Sequence, residues 1–213
     1  HYLLAHYQAK GHAVYDNTDV TNISYNKRGV ELETADGYKV NAKKLVIACG
    51  YESLKYIPKK VAELHSTYAL VTEPLRQHKL WYKNSLVWET ANPYLYFRAV
   101  DGNRILIGGK DDKFYNPDVR DARIKRKSKA LIDSFQKKMK GIPAKADFSW
   151  AGTFAVTKDG LPYIGSISGV PHTYFALGFG GNGITFSVIA AEMIRDLVRK
   201  GSSPNSDLFS FNR

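Results

Sequence analysis

TYFALGFGGNG, residues 173–183, decides how the rest of the chain is read. TYFALGF reads as a strand, GGNG as a turn, and residues 184–200 as one long helix. Gly178, Gly180, Gly181 and Gly183 put four glycines into six residues at that junction. Glycine removes side chains where a backbone must turn tightly or approach a ligand closely. Free N–H groups at the helix start face such a ligand and favour phosphate or another electron-rich acceptor. A unit of this kind ordinarily opens a dinucleotide-binding fold, whereas here it stands near the end of the sequence. The expectation is a cofactor-binding protein whose first half precedes these residues.

The 213 residues suffice for one large domain or two small ones, and 44% hydrophobic with 13% aromatic residues is the composition of a packed protein. No apolar run approaches the length of a membrane span, and HYLLAHYQAKGH lacks the order of a signal peptide. The single Cys49 excludes an internal disulfide and fits a reducing compartment, so a soluble, cytoplasmic protein is expected. The net charge of +11 is concentrated in RDARIKRKSK (120–129) and QKKMKG (136–141). Ala130, Leu131, Ile132, Phe135 and Met139 recur there at helical spacing, which describes a surface helix with an apolar stripe and a basic solvated face. No nucleic-acid recognition fold or zinc-finger spacing accompanies the charge, and no nucleic-acid partner is expected.

Working back along the chain, residues 1–10 read as the tail of a helix stopped by Gly11, and 13–15 and 20–24 as short strands. VELETADGYKVNAKKLVIAC (30–49) gives a strand, an Asp-Gly turn, a second strand and an apolar third at 45–49, expected inside a layered sheet with Cys49 buried. A second unit begins near Ser66. STYALVTEPL, SLVWET, YLYFRAV and RILIGG are β-branched and aromatic runs joined by short turns, the pattern of an antiparallel sheet. A helix over 118–140 ends at Gly141 and Pro143. DFSWAGTFAV, the turn TKDG and LPYIGSI lead back to the glycine-rich junction.

In this order, four segments resemble the flavin-dependent amine and amino-acid oxidoreductases, the family of D-amino-acid oxidase, glycine oxidase, sarcosine oxidase and gamma-glutamylputrescine oxidase-like enzymes. KLVIACG (44–50) is similar to the strand closing the family's first FAD-binding segment. TYALVTEPL (67–75) and YLYFRAVDGNRILIGGKDD (94–112) resemble its substrate-domain strands. WAGTFAVTKDGLPYIG (150–165) resembles the return to the FAD domain, and ALGFGGNGITFS (176–187) the closing flavin loop and helix. The resemblance covers almost the whole chain and resembles the C-terminal two-thirds, or slightly less, of the family. The opening GxGxxG segment is not in the sequence.

The resemblance implies the C-terminal part of a Rossmann-like α/β FAD-binding domain joined to an α+β substrate domain built on an antiparallel sheet. Boundaries follow at 1–52 (partial FAD-binding domain), 53–148 (substrate domain) and 149–213 (return to the FAD-binding domain). It implies FAD in the full-length protein and little or none on this chain alone, whose missing N-terminal segment would cradle the pyrophosphate. Val20 matches a backbone contact to adenine, and Ala48, Cys49 and Gly50 the segment beside the dinucleotide. Gly180, Gly181, Asn182, Gly183, Ile184 and Thr185 match the loop closing on the flavin ring. Trp150, Gly152, Asp159 and Gly160 come with the return segment; their plain readings are packing between domains and a turn.

The implied substrate is a small amine or amino acid whose CH–NH or CH–NH2 group loses a hydride to FAD. Where glycine oxidase-like members carry an arginine for the substrate carboxylate, this chain has Phe154, and a phenyl ring supplies no bidentate clamp. Arg98 either compensates or pairs with Asp101 or Asp111; the sequence leaves both open. Tyr94 and Tyr96 share one strand face, opposite Leu95 and Phe97, and Tyr96 is a candidate pocket residue. His1, His6, His12, His65, His78 and His172 are dispersed, and no metal site is expected. The alternative reading is a non-catalytic relative that uses the same fold for binding or assembly.

Overall fold

Turn residues divide the strands into three sheets. The computed structural model describes residues 1–76 and 80–213; His78 lies outside them. Helix α1 (Tyr2–Ala9) ends before Gly11, whose φ of +82° only glycine adopts freely. Strands β1 (Val20–Asn26), β2 (Gly29–Thr34) and β3 (Lys39–Ala42) form an antiparallel meander. Its first turn is fastened by Asn26 Oδ1, which accepts from the Arg28 and Gly29 N–H groups at 2.7 and 3.0 Å. Residues 13–15, expected as a strand, lie outside any strand.

Strand β4 (Leu45–Ile47) stops two residues earlier than expected and leads into a short 3₁₀ segment, Gly50–Tyr56. Further along come β5 (Ala62–Thr72), the two-residue β6 (Val87–Trp88), β7 (Leu95–Val100) and β8 (Arg104–Lys113). Helices α2 (Pro117–Ala122) and α3 (Ile124–Lys138) replace the single helix expected over 118–140. Asn116 caps α2 by accepting from the Val119 N–H at 2.8 Å, with Pro117 in the first turn. At the break, the Arg123 N–H turns to the Arg120 carbonyl at 3.1 Å, three residues back, and the Arg123 side chain reaches Asp112 at 3.0 Å. Strands β9 (Ala146–Thr157), β10 (Tyr163–Gly165) and β11 (Thr173–Leu177) precede helix α4 (Gly183–Lys200).

The largest sheet has the order β6-β7-β8-β5-β9 and is antiparallel throughout. One face packs on α3. Tyr68, Leu70, Leu95, Phe97, Ile105 and Ile107 meet Leu131 and Phe135 there, with Ile132 and Met139 beside them, as the apolar stripe requires. A small mixed sheet, β10-β11-β4, pairs β11 parallel with β4 and antiparallel with β10. β4 is therefore an edge strand of this sheet among the described residues, not the interior strand expected. Helix α4 covers the sheet through Ala190, Met193 and Ile194, packed on Ile164 and Ala176. The mixed α/β architecture with antiparallel sheets is the one the sequence pattern called for. Among the described residues no helix is long and apolar enough to cross a membrane.

Candidate functional site

The parallel register of β4 and β11 sets the first half of the site. Leu45, Val46 and Ile47 lie opposite Thr173, Tyr174 and Phe175, so both strands end on the same side of the sheet. Ala48, Cys49 and Gly50 leave one strand there and the glycine-rich turn leaves the other. Ligands of open α/β sheets bind outside such carboxyl ends. Gly178 and Gly180 have φ of +76° and +53°, values that L side chains rarely adopt. Gly178 is also confined, since a Cβ there would meet Thr157 Cγ2 at 2.6 Å. Around Gly180, Gly181 and Gly183 the space in front of the backbone is open. Gly181, Asn182, Ile184 and Thr185 are exposed in the turn and first helical turn, where Ile184 is 88% accessible. Asn182 stands at the helix cap without a side-chain capping bond. The first-turn N–H groups of α4 therefore face open space with a partial positive charge.

Cys49 is exposed rather than buried, its Sγ 3.4 Å from Ser53 Oγ. The strand ends at Ile47, so Cys49 falls in the following turn. Gly50 turns the chain with φ of +61°. Val20 opens β1 in the separate three-stranded meander.

Strand β9 links this junction to the second half of the site. The Gly180 N–H donates to the Ala155 carbonyl at 3.2 Å, and Thr157 flanks Gly178. Phe154, one residue before Ala155, lies opposite His65 of β5, with ring centroids 6.0 Å apart. Period-two alternation places Trp150, Gly152 and Phe154 on one face of β9, opposite the α3 side. The Arg120 guanidinium, donating to Thr153 Oγ1 at 2.9 Å, marks that other side. Trp150 is 43% exposed and belongs to this open face; it pairs in register with Ala69.

The open face continues onto β7. Leu95 and Phe97 point into the α3 core, so Tyr94, Tyr96 and Arg98 point away from it. The Tyr94 and Tyr96 rings stack at 6.1 Å, and Trp88 meets Tyr94 at 6.3 Å. Tyr96 lies flat over Gly108, where a Cβ would overlap its ring. Burial first, and Asp111 second, raise the Tyr94 and Tyr96 hydroxyls above the ordinary phenol range, so both stay neutral. Arg98 is exposed and forms an ion pair with neither Asp101 nor Asp111. Its charge works against the raised pKa of Tyr96, which puts it within electrostatic reach of that ring.

Asp159 is held by the chain itself. Its carboxylate accepts from Arg213 Nε and Nη2 at 2.7 and 3.2 Å and from the Leu161 N–H at 3.1 Å. These bonds, that of Arg213 foremost, hold its pKa down at about 2. Arg213 also donates to the carbonyls of Leu161 and Pro162 and lies 3.9 Å over the Tyr163 ring. Gly160 turns beside it with φ of +75°. This clasp was not legible in the sequence, because its partners are separated by 54 residues. Asp111 and His65 were missed as members of the open face for the same reason; only strand register brings them to it.

Residues 1–197 match the sequence pattern of the family described as FAD dependent oxidoreductase. The chain belongs to that family. It is 30% identical over 210 residues to gamma-glutamylputrescine oxidoreductase of Escherichia coli (strain K12), a match spanning 94% of this chain and 46% of that protein. Glycine oxidase of Geobacillus kaustophilus (strain HTA426) is 27% identical over 216 residues, spanning 95% and 53%. Among solved structures, L-proline dehydrogenase from P. horikoshii superposes with a TM-score of 0.71 at 19% identity, covering 95% of this chain and 55% of that one. The chain thus spans about half the length of the curated relatives it matches. As a member of an FAD dependent family, its residues fit the cofactor where they can be tested: the glycine-rich turn keeps open space before exposed helix-terminal N–H groups.

Proposed function

We propose that this chain is the substrate-facing, cofactor-closing part of a flavin-dependent oxidoreductase that oxidises the CH–NH or CH–NH2 group of an amine or amino acid. The observation that carries this reading is the 3.2 Å bond from Gly180 to Ala155, which ties the glycine-rich turn to the strand bearing Phe154. Bound FAD would supply the hydride acceptor for the carbon beside nitrogen, and the imine product would hydrolyse in water. Gly180–Thr185 and the α4 N-terminus hold the flavin side, with N–H groups suited to stabilising electron density. Ala48, Cys49 and Gly50 line the dinucleotide path, and Val20 lies on the adenine side. Asp159 and Gly160, clasped by Arg213, fix the return turn near the flavin edge.

Tyr96, Arg98 and Phe154 line the substrate side, Trp150 walls it and Gly152 gives it depth. With Phe154 in place of a basic residue, this face lacks a carboxylate clamp at that position and favours larger or less anionic substrates. The functional division runs 1–52, 53–148 and 149–213, and a preceding segment of the same protein supplies the pyrophosphate cradle. The 213 residues alone are therefore expected to give no useful turnover. Turnover by this chain at the rate of the intact protein would contradict that division.

Gly180→Val in the intact protein tests the cofactor assignment. It should abolish flavin retention, read from absorbance after gel filtration, because a β-branched side chain cannot hold φ of +53°. Gly141→Val, with φ of +85° at the far end of α3, should strain the chain without loss of flavin. Undiminished flavin in the Gly180 variant would overturn the assignment.

A further inference from the structure

The open face of the five-stranded sheet carries a carboxylate, Asp111, that Tyr94 engages but that keeps one oxygen without a partner. Asp111 and Asp112 are neighbours in β8 but face opposite ways. Asp112 serves the closed side, where it pairs with Arg123 at 3.0 Å and Lys127 at 2.8 Å and accepts from the Tyr68 hydroxyl at 3.3 Å. Asp111 lies on the other side with Tyr94 and Tyr96, both of which feel its charge. Among the described residues, Asp111 Oδ1 is the buried side-chain oxygen left without a hydrogen-bond partner. Nor, among the described residues, does an ion pair neutralise the carboxylate.

Backbone features build the surroundings. Gly109 has φ of +125°, and a Cβ there would overlap the Tyr94 carbonyl. Asp112 pairs with Ser66 and Gly109 with Tyr68, so Lys110 and Asp111 form a bulge opposite Thr67. Bulges re-aim side chains. Thr67 in turn pairs with Gly152 of β9, on the far side of β5 from Asp111. The result is a carboxylate beside the stacked rings of Tyr94 and Tyr96, with Oδ1 left unpartnered. A carboxylate beside aromatic faces is a site for an alkylammonium ion, which gains both the charge pair and cation–π attraction. An anion at Asp111 would meet its charge and two neutral phenols; Arg98, on the same strand face, acts on Tyr96 and forms no ion pair with Asp111.

We propose that Asp111, flanked by Tyr94 and Tyr96, recognises a cationic nitrogen of the substrate, so that the enzyme selects alkylammonium compounds over carboxylates. This rests on the amine-oxidising reading above and names the substrate class of that same face. Phe154 and Asp111 act together: one removes a carboxylate clamp, the other supplies an ammonium clamp. Tyr96, held over Gly108, is a positioning residue for the cation.

The test uses the intact protein and butyltrimethylammonium, which has no nitrogen lone pair and cannot form an imine. Binding is read by fluorescence of Trp88 and Trp150 on the same face, with butyrate as the anionic control. The wild-type protein should bind the cation at least about tenfold more tightly than butyrate, and Asp111→Asn should erase that preference. Equal binding of the cation by wild type and a folded, flavin-loaded Asp111→Asn would overturn the proposal. If Asp111→Asn fails to fold, the wild-type preference decides: tighter binding of butyrate overturns the proposal. Amines that bleach the flavin equally in both proteins would leave the oxidase reading standing while sinking this one. Preferential cation binding without any flavin would do the reverse.

Discussion

On one face of the five-stranded sheet Leu70, Ile105 and Ile107, with Leu131 and Phe135 of α3, have no accessible surface; on the other, Trp88, Phe148 and Trp150 keep 43–61% of theirs. The same strands make both faces. The closed face follows packing rules, with large apolar side chains in edge-to-face contact, as for Phe97 and Phe135 at 5.0 Å. The open face carries aromatic rings, glycines, an arginine without an ion pair among the described residues and a carboxylate with one unpartnered oxygen. One side holds the molecule together and the other is left open.

Substitutions on the two faces should therefore separate. Phe135→Ala should cost about 3–5 kcal/mol of unfolding free energy, measured by denaturant melts, because the ring is fully buried. Trp150→Ala, though it removes a larger side chain, should cost less than about 1 kcal/mol by the same measurement, since surface substitutions outside packed contacts change stability little. Equal losses would abolish the distinction. Gly108→Ala sharpens it, because the new methyl group runs into the Tyr96 ring lying over it. Overpacking of this kind costs about 1–3 kcal/mol. Combining it with Tyr96→Ala should recover most of that loss, and a double-mutant cycle that stays additive would show the ring elsewhere.

A smaller, pH-dependent effect belongs to the Asp159–Arg213 clasp. The folded-state pKa of about 2 lies below the ordinary 3.8, so the clasp's stabilisation is present above about pH 4. It fades as the pH falls toward 2 and the carboxylate takes up a proton. Asp159→Asn should flatten the melting temperature across that interval. An unchanged acid slope in this variant would assign the loss to other carboxylates.

Local patterns carried most of the fold. Alternation in YLYFRAV sorted Leu95 and Phe97 from Tyr94 and Tyr96, and the stripe through Leu131 and Phe135 placed α3 against the sheet. The glycine crowding at 178–183 located the strand-to-helix junction. Features set by register or by distant partners were not legible. The sequence leaves Asp111 and Asp112 equivalent until the bulge turns them to opposite faces. Arg213 reads as one more surface cation until it meets Asp159. Cys49 looked like strand core because its run is apolar, but pairing with β11 ends at Ile47. The break at Arg123 coincides with a side chain reaching across to Asp112, a contact no helical pattern records.

Flavin-dependent oxidation of an amine is the proposed activity, and the absorption spectrum of the intact protein is the first test of it. The spectrum should show flavin bands, and anaerobic mixing with a panel of amines and amino acids should bleach them with at least one compound, alkylammonium compounds ahead of simple carboxylate-bearing ones. An intact protein that cannot acquire flavin, or whose flavin no amine reduces, would contradict the account and favour a relative that has kept the fold for binding alone.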